Sequence, residues 1–152
     1  MKSAKVLFIT TSQSKMGNTG DNTGLWLEEL AAPYYIFKDA GADLTIASPE
    51  GGRVPLDPHS QSIIVATGST KRFMKDEGAM NFLFHSLLLR DIKADDFDVV
   101  FIPGGHGALW DLTGNEILKP LLEAFNKENK LIATVSHGTG ALLSLQNQEG
   151  EC

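Results

Sequence analysis

The sequence predicts an α/β protein: one domain over residues 1–152 on a mainly parallel sheet, with its four legible strands in the order 2-1-3-4. Two observations predict it. Short apolar runs rich in branched residues alternate with segments of helical spacing, the pattern of successive βαβ units. The 152 residues, 42% of them hydrophobic, suit one domain with a real core, and such a chain buries roughly 70% of its unfolded surface.

Lys5 to Thr10 is the first buried strand. Gly17 to Gly24 is a loop of small polar residues, with Asn22 or Thr23 placed to cap a helix. Leu25 to Ala40 carries helical spacing at Leu27, Leu30, Ala31 and Tyr34 and stops at Gly41. Pro33 lies inside it and is expected to kink or tighten it, because proline cannot donate to the Glu29 carbonyl. Asp43 to Ser48 is the second strand. Pro49 to Thr70 reads as a long loop in which only Ile63 to Ala66 looks extended, and Lys71 to Leu89 as one or two helices broken near Gly78. Asp98 to Pro103 is the third strand, and Asn115 to Asn129 is an amphipathic helix with Ile117, Leu118, Leu121, Leu122 and Phe125 on one side. Leu131 to Val135 is the fourth strand, and Gly138 to Leu145 opens a helix.

Net charge is −6, with no basic cluster. That argues against nucleic acid, whose binding needs a basic patch to displace counterions, and against an anionic membrane surface. The apolar run after the N-terminus, Val6 to Ile9, is too short for a signal-peptide core or a membrane span. The lone cysteine, Cys152, rules out an internal disulfide and a cysteine-rich zinc site. His59 and His85 lack ligand spacing, so no metal is expected. A cytoplasmic location is the expectation.

In an open parallel sheet, ligands bind beyond the carboxyl ends of the strands, where strand order reverses. Here the reversal lies between the first and third strands, which brings Glu29, Gly105 and Ser136 to one crevice. Thr134-Val135-Ser136-His137-Gly138 resembles a nucleophile elbow, in which a strand turning sharply into a helix exposes the middle side chain. Thr134 replaces the first glycine of the full pattern, and an ordinary turn with Ser136 as helix cap would leave the same sequence. Gly104-Gly105-His106-Gly107 frees backbone N–H groups that, with the N–H of His137, suit a developing oxyanion. A tight strand-to-helix turn is the alternative. No dinucleotide or phosphate-loop pattern occurs. Glu29 sits in the first turns of its helix. The helix dipole favours its ionised form and burial its neutral form, so the balance decides whether it accepts or donates a proton.

Three stretches carry a family resemblance: Thr23 to Gly52 (TGLWLEELAAPYYIFKDAGADLTIASPEGG) with VPLDP after it, Asp95 to Leu112 (DDFDVVFIPGGHGALWDL), and Val135 to Leu143 (VSHGTGALL). They resemble the ThiJ/PfpI superfamily of glutamine amidotransferase-like proteins, in its branch of cofactor-free glyoxalase III enzymes and heat-shock chaperones. The resemblance implies a flavodoxin-like three-layer sandwich, a homodimer and no cofactor. It implies that Glu29 is the buried glutamate that hydrogen-bonds the nucleophile, and that Gly105 and the His137 N–H are oxyanion donors, with Gly104 and His106 beside them. Ser136 stands where the family has its reactive cysteine, and His137 matches the adjoining histidine. Family members convert methylglyoxal and similar carbonyls to hydroxy acids, act on early glycation adducts or hold unfolded proteins, and some relatives are described as peptidases or amidases. Small reactive carbonyls and unfolded proteins are therefore the implied partners.

Two departures bear on activity. A thiol with an ordinary pKa near ~8.5 becomes a thiolate in suitable surroundings, whereas the Ser136 hydroxyl needs an efficient base. Thr139 also replaces the usual proline. Relatives continue past the point where this sequence stops, so the family's C-terminal portion, with the acidic partner of the histidine, is expected to be missing; Leu145 to Cys152 reads as polar tail. Three functions stand side by side: a glyoxalase weakened or silenced by Ser136, a non-enzymatic holdase of the same fold, and an amidase- or peptidase-like hydrolase.

Overall fold

Alternation along β1 (Lys5–Ile9) sets the layering. Val6 and Phe8 point to one core and Leu7 and Ile9 to the other, all fully buried, so the strand has helices on both faces. The computed structural model, which describes residues 2–146 and Gly150, places β1 between β2 (Asp43–Ser48) and β4 (Val99–Ile102). Beyond β4 lies β5 (Leu131–Thr134), and every pairing is parallel. The four strands expected from the sequence thus take the expected order. A fifth, β3 (Leu87–Leu88), extends the sheet to β3-β2-β1-β4-β5. The fold is an α/β flavodoxin-like sandwich.

One face is covered by α1 (Leu27–Asp39), α2 (Gly68–Lys75) and α3 (Glu77–Phe84), through Leu30, Ala31, Tyr34, Phe73 and Leu83. The other is covered by α4 (Ala108–Asp111) and α5 (Leu118–Lys127), through Leu112, Leu118, Leu122 and Phe125.

Several local expectations are corrected. The break expected near Gly78 falls at Asp76, between α2 and α3. Its carboxylate caps α3 by accepting from Ala79 N (3.1 Å) and also accepts from the Tyr35 hydroxyl of α1 (3.0 Å). Leu87 and Leu88, read as the end of a helix, pair with Ala47 and Ser48 instead. Ile63–Val65 is a 3-10 turn rather than an extended piece, with the Ser62 hydroxyl accepting from Ile64 N (3.3 Å). The α1 helix starts at Leu27, with Trp26 at its cap, because Thr23 turns inward to donate to buried Asp57 (3.2 Å). It then runs through Pro33 as one element. Asn115 precedes α5 and accepts from Ile117 N and Leu118 N (both 2.9 Å), so the helix is shorter than its amphipathic pattern. Cys152 and most of the polar segment expected after Leu145 lie outside the described residues.

Candidate active site

The carboxyl ends of β1, β4 and β5 deliver their loops to one side of the sheet, and the crevice forms where β1 and β4 adjoin. The chain leaves β5 through Val135, whose N–H donates to Ile102 O (3.1 Å), and turns into the 3-10 segment Ser136–Leu142. Ser136 has φ +53, the left-handed region that a residue with a Cβ occupies at a cost of about 1–2 kcal/mol. That strain lifts its side chain out of the turn, and Ser136 is exposed. Gly138 makes the turn possible: a Cβ there would collide with the carbonyl oxygens of Ile102 and Pro103. The helix expected from Gly138 is a 3-10 turn, in keeping with the poor helix propensity of Gly138 and Gly140.

After β4, Gly104 and Gly105 pass through a space too narrow for side chains. Gly104 N donates to Glu29 Oε2 at 2.7 Å. A Cβ on Gly104 would lie 2.6 Å from that oxygen, 2.9 Å from His137 N and 3.1 Å from Ser136 Cβ. These figures place Glu29, Gly104, Ser136 and His137 around one point. Gly105, at φ +98, lies against the Gly24 carbonyl so closely that a Cβ would overlap it. Trp26 N donates to Gly104 O (3.3 Å), Leu25 N donates to Pro55 O (2.8 Å) and Asp57 N donates to Leu25 O (2.9 Å). The VPLDP segment therefore braces the stretch that leads into α1, whose first turn carries Glu29.

Glu29 is half-buried. Burial pushes its carboxyl above the ordinary glutamate value, while the Gly104 N–H, the Ser136 hydroxyl and the charge of His137 pull the other way. Among the described residues the Gly105 and His137 N–H groups donate to no protein acceptor. The Gly104 N–H, grouped with them on the sequence, is already engaged by Glu29. His137 Nδ1 lies 3.4 Å from Ser136 Oγ, and no carboxylate bonds the imidazole among the described residues. His106 is exposed and its ring packs on that of His137, centroids 4.6 Å apart. The structure thus gathers Glu29, Gly104, Ser136 and His137 around one point, with His106 stacked on His137 and Gly105 next to Gly104 in the chain, packed against Gly24. Among the described residues no three His, Cys, Asp or Glu side chains converge as metal ligands.

Two supports escaped sequence reasoning. Gly24 is the backbone against which Gly105 packs, and a Cβ there would strike Pro55 and Leu56. Its place directly before the helix read from the sequence at Leu25 offered a hint. Asp111, at the end of α4, accepts from Thr11 Oγ1 and Ser12 N (both 2.7 Å) and so fastens the loop after β1. Burial raises its carboxyl above the usual aspartate value. A lone acid in an apolar turn was its only signal.

Residues 23–151 match the model of the DJ-1/PfpI family. A glutathione-independent glyoxalase, hsp3101, of Schizosaccharomyces pombe is 33% identical over 141 residues, covering 88% of this chain and 56% of that protein. The Francisella tularensis Rapid Encystment Protein 24 KDa superposes with a TM-score of 0.89 at 33% identity, over 97% of this chain and 64% of that one. The Candida albicans glyoxalase III superposes at 0.84 with 24% identity, over 97% of this chain and 63% of that one, a likeness of fold. The chain spans about half to three fifths of the length of the curated relatives it matches. It belongs to the DJ-1/PfpI family.

Proposed function

We propose that this member of the DJ-1/PfpI family is a glyoxalase III-type protein whose crevice receives methylglyoxal-like carbonyls, and that Ser136 leaves it with little or no turnover. The observation that carries the reading is the meeting of Glu29, Gly104, Ser136 and His137 at one point. In this reading the side chain of residue 136 adds to the aldehyde carbon. The carbonyl oxygen takes up the electron pair and is held by the N–H groups of Gly105 and His137. Glu29 and His137 then move the C1 proton of the adduct to C2 through an enediol, so the aldehyde carbon is oxidised as the neighbouring ketone carbon is reduced, and water hydrolyses the resulting ester or thioester to the hydroxy acid and frees residue 136.

The weak step is the first. Even a raised Glu29 carboxyl is too weak a base for a serine hydroxyl, and among the described residues no carboxylate bonds His137 to orient it. A thiol at the same place ionises far more readily. This also ranks a serine hydrolase last. We assign no cofactor.

A second reading, a holdase acting as a homodimer, is favoured by exposed Leu109, Trp110, Leu131 and Leu143 on α4, β5 and the turn after it. No helix among the described residues is long and apolar enough to cross a membrane. We place the protein in the cytoplasm, a reading supported by a single cysteine among 152 residues.

The test is methylglyoxal consumption by the chain and by Ser136→Cys. The chain should be at least ~100-fold slower than the cysteine variant. Substantial turnover with Ser136 intact would refute the account of the substitution, and a Ser136→Cys that stays inert even in a full-length context would remove the enzyme reading.

A further inference from the structure

Two adjoining cavities, the first of them lined by Val54, Pro55 and Leu56 of the VPLDP segment, share Gln61 and Met74. One holds about 330 Å3 and the other about 240 Å3. Neither wall includes Glu29, Ser136 or His137. Their apolar lining is soft and adaptable: Val54, Met74, Met80 and Phe84 in the first, Leu27 and Ile63 in the second. Ile63 is 90% exposed at the rim of the second cavity.

The charge in this groove has one sign. Arg53 lines the first cavity and Lys71 and Lys75 the second, while among the described residues no Asp or Glu lines either. That is an anomaly in a chain with 19 acidic and 13 basic side chains. The neighbouring cations are paired, Arg72 with Asp39 and Lys38 with Asp76. Arg53, Lys71 and Lys75 form no ion pair among the described residues. The Arg53 guanidinium lies over the Phe84 ring, 4.7 Å from its centroid. Stacking fixes its plane while leaving its N–H fork free, the geometry that suits a carboxylate.

We propose that this groove binds a single-chain amphipathic carboxylate, with the headgroup on Arg53 and the tail passing Met74 into the second cavity. Lys71 and Lys75 line that cavity with aliphatic stems and carry their ammonium groups to water. At ~30 Å3 per non-hydrogen atom, the two cavities suit a chain of roughly ten to sixteen carbons. The site is separate from the elbow, so it stands whether or not residue 136 turns over a carbonyl.

The probe is decanoate, added to protein labelled with 13C at the methionine methyls. The Met74 and Met80 signals should shift to saturation while Met16, outside the groove, stays in place. Decanol, with the same tail and no charge, should bind at least tenfold more weakly, and Arg53→Gln should weaken decanoate by at least tenfold. An unmoved Met16 signal and an unchanged urea midpoint establish that this exposed substitution leaves the fold intact. The proposal is overturned by the absence of a saturable shift, by equal binding of decanol, or by undiminished affinity in Arg53→Gln. It is also overturned if Met74 and Met80 shift with protein concentration alone, since a second copy would then cover the groove.

Discussion

A single methyl group added at residue 104 should separate the groups that meet in the crevice. In Gly104→Ala the new Cβ would sit 2.6 Å from Glu29 Oε2, 2.9 Å from His137 N and 3.1 Å from Ser136 Cβ. The Glu29 carboxylate can swing away only by surrendering its 2.7 Å bond from Gly104 N. His137 N belongs to a backbone held by the elbow and has less freedom to yield. Overpacking costs about 1–3 kcal/mol, and loss of a hydrogen bond to a charged group about 1.5–3 kcal/mol. A destabilisation of roughly 2–5 kcal/mol follows, measured as the change in urea unfolding free energy at constant m. Gly68→Ala is the control: nothing lies within 4 Å of its Cβ, and it opens α2, so it should be neutral or slightly stabilising. In a Glu29→Ala background the Gly104→Ala cost should fall by at least ~1 kcal/mol, because one obstruction is gone. A Gly104→Ala protein within ~0.5 kcal/mol of wild type, or strict additivity with Glu29→Ala, would refute the convergence at this point.

Three further outcomes follow from the same structure. Burial raises the Glu29 carboxyl, so the folded chain holds that proton to higher pH than the unfolded chain, whose glutamate titrates near 4.5. Its stabilising contribution is complete below that value and drains away as pH rises through the folded value. Relative to Glu29→Gln, wild-type stability should therefore decline with rising pH above 4.5, and a relative rise would contradict the sign. Ser136→Gly should raise the Tm, by about 0.5–1 kcal/mol of stability, because glycine tolerates the left-handed backbone there; no gain would mean that the elbow is unstrained. Phe73→Ala should cost about 3–5 kcal/mol in urea unfolding, since Phe73 is fully buried against Tyr34 and Tyr35 where α2 meets α1; a loss below ~1 kcal/mol would show that this face repacks.

What the sequence revealed follows from the scale of each signal. The long strands were legible because Val6 to Ile9, Ile46 to Ala47 and Val99 to Ile102 are short apolar runs bounded by polar residues and turns. The crevice was legible because glycines and a serine follow those strands at their carboxyl ends, where parallel topology gathers them. Leu87 and Leu88 could not announce a strand, since two residues have no period and only pairing with Ala47 and Ser48 defines them. Thr23 and Asp76 show how tertiary partners decide local structure. Thr23 gives up a capping role for buried Asp57, whereas Asp76 ends one helix, caps the next and receives the Tyr35 hydroxyl. The engagement of Gly104 N–H by Glu29 was likewise hidden, because the two residues are 75 positions apart.

The crevice is tested most directly by titrating lactate, a hydroxy acid of the product class, into 15N-labelled protein. The Gly104, Gly105 and His137 amide signals should shift together with one saturation curve, while Gly68, on α2, stays fixed. Saturating shifts elsewhere with those three amides unmoved would contradict a shared site at the carboxyl ends of β4 and β5.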